Sequence, residues 1–119
     1  MLILIAGPYR GGTNDDPVLM ARNLKKLEEA ALPIFRAGHV PMIGEWVALP
    51  LLQLAGSERP GDEAWSEIQY PVAHRLLSKC DAVLRLEGAS NGADEDVRVA
   101  KERGLPVYYR LEDIPGCKN

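Results

Sequence analysis

At 119 residues, with 46% hydrophobic and 26% charged side chains, the chain has the make-up of a single soluble globular domain with one core. Its net charge of −3 gives no reason to expect a nucleic-acid polymer, which would need a basic face, though it leaves room for a locally basic pocket, and no apolar stretch reaches the length of a membrane span. Met1 leads straight into a strand pattern without a basic segment or cleavage site. Cys80 and Cys117 are too few for a disulfide scaffold and lack metal-ligand spacing. The expectation is a cytoplasmic protein with reduced thiols and no bound metal.

Residues 2–6 are a continuous apolar run, the pattern of a strand covered on both faces. A loop with three glycines, 7–16, follows. Asp16 before Pro17 reads as an N-cap and a first helical position, and Met20, Leu24, Leu27, Ala31, Ile34 and Phe35 continue at helical spacing on one face. Pro33 is expected to kink this helix, and Gly38 to end it. Residues 39–43 form a second strand, which Pro41 assigns to the sheet edge. Residues 45–55 read as a short, irregular helix broken by Pro50, and 62–79 as a helix interrupted by Pro71. A third strand (81–86), a helix (92–103) and a fourth strand (105–109) precede a tail with a turn at Pro115-Gly116.

Strands alternating with helices imply an α/β fold with a parallel sheet. Four strands are clear, a fifth would have to come from the tail, and the order 2-1-3-4 fits. The strand order then reverses between strands 1 and 3, where open α/β sheets bind ligands. Two loops flank that point, Gly7–Gly12 and Glu87–Asp96.

The first loop offers curled backbone amides and the planar guanidinium of Arg10, both suited to a phosphate. In the second, Ser90 or Asn91 can cap a helix whose first turns carry Asp94, Glu95 and Asp96. With Ala93, Val97 and Ala100 as the buried stripe, about 100° per residue puts Asp96 on its flank and turns Glu95 to water. Asp96 is therefore the preferred catalytic acid, with Glu95 as the fallback. Glu45 follows the second strand and shares the same sheet edge. Arg85, in an apolar strand, is expected to pair with Glu45 or Asp96. Trp46, Trp65, Tyr9 and Tyr70 are of a kind to stack on a flat base, with core packing the preferred assignment for the two tryptophans, and His39 and His74 have no marked role.

These motifs, Ile5-Ala-Gly-Pro-Tyr-Arg-Gly-Gly12, Gly38-His39, Cys80-Asp-Ala-Val83 and Ser90-x-Gly-Ala-x-x-Asp96, resemble the nucleoside 2-deoxyribosyltransferase-like superfamily. The likeness runs to its small DUF4406-type bacterial domains and, in the Gly-x-x-Arg-Gly-Gly loop, to 2'-deoxynucleoside 5'-monophosphate N-glycosidases. The resemblance implies a flavodoxin-like three-layer fold over residues 1–119 and a homodimer whose partner helps complete the site. It assigns Gly7, Tyr9, Arg10, Gly11, Ser90 and Gly92 to substrate and phosphate binding. It places Asp96 at the catalytic position, where the family usually has glutamate, with Tyr9 and Glu45 as further catalytic candidates. The family also often carries an aspartate where this chain has Ala73, so Glu45, Asp62 or Glu67 would have to substitute. The implied activity is hydrolysis, or base transfer, at the N-glycosidic bond of a nucleoside or its 5'-monophosphate, without a cofactor. The alternatives are a non-catalytic nucleotide-binding module, which Ala73 favours, and a purely structural protein.

Overall fold

The computed structural model describes residues 1–117, so the end of the expected tail lies outside the described residues. Four parallel strands, β1 (Leu2–Ala6), β2 (Val40–Ile43), β3 (Ala82–Arg85) and β4 (Val107–Tyr108), form one sheet in the order β2-β1-β3-β4. β2 is an edge strand, which accommodates Pro41. No fifth strand forms among the described residues. Leu111–Asp113 instead makes a 3-10 turn, η1, after β4, which is only two residues long.

β1 sits between two apolar layers because successive side chains of a strand point to opposite faces. Ile3 and Ile5 pack with Leu27, Ala30 and Ile34 of helix α1 (Pro17–Arg36). Leu4 and Ala6 pack on the other face with Leu77 of α3 (Glu63–Leu77) and with Ala93 and Ala100 of α4 (Asn91–Glu102). Helix α2 (Gly44–Leu54) lies against α3, and its Leu52 joins Met20 and Trp65 in a third, smaller cluster.

Asp16 caps α1 by accepting from the Val18 amide, with Pro17 at the first position. The prolines are less disruptive than expected. Pro33, Pro50 and Pro71 all lie inside helices that continue past them, so α2 and α3 are unbroken. Each removes one N–H donor, and packing of the apolar faces outweighs that local penalty. Phe35, expected on the apolar face of α1, is largely exposed, since Ala30, Ala31 and Ile34 make the buried stripe there. Trp46, assigned to the core, is 39% exposed and donates from Nε1 to Glu28 at 2.8 Å; α2 buries Ala48 and Leu52 instead.

Candidate active site

The loops leaving β1 and β3 meet at the carboxyl edge of the sheet, where strand order reverses. Gly11 sets their approach. A Cβ there would lie 2.7 Å from the Ala89 carbonyl oxygen, so any larger residue would push the loops apart. Asn23 of α1 fixes the first loop from behind, its Nδ2 donating to the carbonyl oxygens of Tyr9 (2.8 Å) and Gly11 (3.4 Å). Thr13, 2% exposed, donates its hydroxyl to the Arg10 carbonyl and accepts from the Asp15 amide at 3.2 Å. On the other side Ser90 caps α4, accepting from the Ala93 amide at 3.1 Å.

Between these loops, α2 and α3 lies a cleft of about 620 Å³. Gly7, Tyr9, Arg10, Gly11, Glu45, Ser90, Gly92 and Asp96 all line it, so the residues singled out from the sequence come together in one place. Ala73 lines it too, and no acid stands at that point of the wall. Of the suggested substitutes, only Glu45 reaches the cleft. Asp62 caps α3, with the Trp65 amide donating to it at 3.3 Å, and Glu67 lies exposed outside.

Asp96 and Glu45 form the acidic floor. Burial, then the neighbouring carboxylates Glu45 and Glu95, push the Asp96 carboxyl up to about 7 against the opposing charge of Arg85. Burial also raises Glu45, against a hydrogen bond from Gln69 Nε2 at 2.9 Å that favours its ionised form. The Tyr9 phenol is held above its usual range by burial, then by Glu45. Gln69 Oε1 is buried and accepts no hydrogen bond among the described residues. Gln69 stands one helical turn before Ala73 on α3, and nothing in its local sequence marks it.

Two contacts differ from the sequence expectation. Arg85, its side chain 11% exposed, pairs with Asp94 at 2.9 Å rather than with Glu45 or Asp96. It also donates to the carbonyl oxygens of Leu86 and Gly88, bracing the loop after β3. Glu95 does not simply face water. Its side chain is 42% exposed, borders the cleft beside His74 and receives the Arg98 Nε at 2.9 Å. α3 packs alongside α4, so two faces of the α4 first turns border the opening. Arg98 holds the Glu95 carboxyl below its usual range, leaving it unlike Asp96 in charge state.

Arg10 is already engaged. Its Nε and Nη2 donate to the two carboxylate oxygens of Asp15 at 2.6 and 3.2 Å, and Nη2 also lies 3.4 Å from the Pro60 carbonyl oxygen. The guanidinium stands 5.6 Å from the Trp65 ring centroid, and Trp65 stacks on Tyr9 at 6.4 Å.

Neither a protein-family model nor a curated protein matches the chain. Among solved structures it is similar to a 2-deoxyribosyltransferase from the psychrotolerant bacterium Bacillus psychrosaccharolyticus. The TM-score is 0.64 at 17% identity, covering 90% of this chain and 69% of that one. The likeness establishes a shared 2-deoxyribosyltransferase-like fold, an α/β domain with a parallel four-stranded sheet.

Proposed function

We propose that the cleft breaks the N-glycosidic bond of a nucleoside or nucleoside 5'-monophosphate. The observation that carries this reading is the pair of half-buried carboxylates, Asp96 and Glu45, in one cleft between two glycine-bearing loops. Their mutual repulsion favours a state in which one is ionised and the other protonated, the division of labour that glycosidic chemistry needs.

In this scheme the pair shares one proton, the reactive form carries it on Glu45, and the ionised Asp96 attacks C1' of the sugar or stabilises its oxocarbenium-like state. The C1'–N bond breaks and its electron pair goes to the base nitrogen, which takes a proton from Glu45 directly or through water. Water then attacks C1', releasing the sugar and freeing Asp96, while Glu45 recovers a proton. Gln69 holds Glu45 in place. The stacked Tyr9 and Trp65 form a flat wall against which a sugar or base can lie. Gly7, Tyr9, Arg10 and Gly11 face the 5' end, and Ser90 and Gly92 edge the sugar. Hydrolysis is favoured over base transfer, and the domain works as a homodimer. The deoxyribosyl chemistry named for the structural neighbour supports the substrate class. The DUF4406-type resemblance belongs to this reading as a motif-level likeness.

A second reading, a nucleotide-binding module without catalysis, draws on Ala73, which leaves no acid on that wall. One experiment separates them. Incubation with a panel of purine and pyrimidine nucleosides and their 5'-monophosphates, followed by chromatography, should reveal free base from at least one compound. Binding without release supports the module, and neither binding nor release excludes both.

A further inference from the structure

Resting on the reading of the cleft as a nucleoside site, we propose that Asp15 is its specificity-determining residue, screening Arg10 so that the cleft accepts a neutral 5'-hydroxyl and rejects a 5'-phosphate. The inference comes from a charge count. Among the described residues, Arg10 is the only lysine or arginine lining the cleft, whereas Asp15, Glu45, Glu95 and Asp96 all line it. Asp15 takes the Nε and Nη2 edge of Arg10 side-on, the bidentate arrangement by which a guanidinium would otherwise grip phosphate. A phosphate dianion entering this cleft meets one cation that is already neutralised, and three further carboxylates.

The pair is built into the loop. Asn14 and Asp15 have φ of 49° and 60°, the left-handed region that non-glycine residues rarely adopt, and this turn folds the Asp15 carboxylate back onto Arg10. The buried Thr13 hydroxyl ties both ends of the turn, accepting from the Asp15 amide and donating to the Arg10 carbonyl. Two further neighbours border Arg10. Trp65 lies beneath it, and a Cβ at Gly61 would come within 2.6 Å of Nη2. The side chains of Arg10 and Asp15 are about two-fifths exposed, so it is the two-point hydrogen bonding to Asp15 that holds the guanidinium. The carboxylate keeps lone pairs that Arg10 does not use, and these can accept a hydrogen bond from a sugar hydroxyl. Removing the Asp15 charge turns the same loop into an anion site. Arg10 is then uncompensated beside the exposed backbone of Gly11 and Gly12.

The test uses inorganic phosphate as the probe and backbone-amide NMR of residues 10–13 as the readout, so it does not depend on catalysis. Wild-type protein should show weak phosphate binding, and Asp15→Asn should bind at least about tenfold tighter. Tenfold is the size of a unit charge acting on a dianion about 6 Å away under water-like screening. Arg10→Ala combined with Asp15→Asn should lose the gain. Phosphate binding to the wild type as tight as to Asp15→Asn, or weaker binding by the variant, would overturn the proposal and make Asp15 a residue that orients Arg10 for the anion. A parallel assay of base release compares 2'-deoxynucleosides with their 5'-monophosphates. Wild type should prefer the nucleosides, and Asp15→Asn should shift the ratio towards the monophosphates. A wild-type preference for monophosphates counts against Asp15 as the screen. Absence of release from every compound, with the phosphate titration as expected, counts against the glycosidic reading and leaves the role of Asp15 standing.

Discussion

Replacing Asp96 with Asn should make the protein more stable while removing its activity. The Asp96 carboxyl is held at about 7 by burial and by Glu45 and Glu95, against 3.8 for a solvated aspartate. Its folded-state value lies above its unfolded value, so the native state binds the proton more tightly. The associated stability is fully present below about pH 4 and is lost as pH rises towards 7. A displacement of this size corresponds to at most on the order of 4 kcal/mol at about 1.4 kcal/mol per decade. Asp96 keeps partial contact with water, so about 2 kcal/mol is the expected gain for Asp96→Asn at pH 8. For a chain of this length that is a rise in melting temperature of roughly 8 °C. At pH 3 to 4 the two proteins should melt nearly together. Thermal melts by circular dichroism at pH 4, 6 and 8, paired with base release at each pH, measure both effects. In the wild type, release should fall above about pH 7, where Asp96 and Glu45 are both ionised and no proton remains for the leaving base. Equal melting temperatures at pH 8, or a variant that keeps full activity, would refute the picture of a carboxylate held in a costly position for chemistry.

Other perturbations follow from the same geometry. Glu45→Gln removes the group that gives up the proton; base release should fall on the order of 100-fold, and what remains should no longer decline above about pH 7, because Asp96 loses the neighbour that raises it and is ionised at lower pH. Glu95→Gln should change release less than about threefold, since its carboxylate is committed to Arg98; a larger loss would move the catalytic role to Glu95. Gly11→Ala forces its Cβ against the Ala89 carbonyl and should weaken ligand binding more than it lowers the melting temperature, as calorimetry and thermal melts would report. Multi-angle light scattering at micromolar concentration should give a dimer mass, and a monomer alone would contradict the homodimer.

Much of the frame was legible because its signals are local. An apolar pentapeptide, an edge proline and two N-cap residues are enough to set β1, β2, α1 and α4, and strand–helix alternation then dictates parallel pairing. The shared cleft was legible for the same reason. Every residue chosen follows a strand end or opens a helix, and a parallel sheet brings those positions to one edge. What escaped depends on the phase and packing of elements relative to one another. Arg85 selects Asp94 over Asp96 because the loop after β3 folds back under its guanidinium. Trp46 is exposed because α2 turns Ala48 and Leu52 inward. Gln69 was hidden by Pro71, which made α3 look broken where it is continuous. Asp15 reaches Arg10 only through two consecutive left-handed residues, a conformation that Asn14-Asp15 permits but does not announce.

The central claim is that Asp96 faces the anomeric carbon. A crystal structure of the Asp96→Asn protein with an intact 2'-deoxynucleoside, chosen from the base-release panel, tests it most directly. The expected result places C1' about 3–3.5 Å from the residue 96 side chain, the range of a reacting pair, with the base nitrogen towards Glu45 and the 5' end beside Asp15. A nucleoside whose C1' lies nearer Glu45 or Glu95 than residue 96, or one seated outside this cleft, would contradict it.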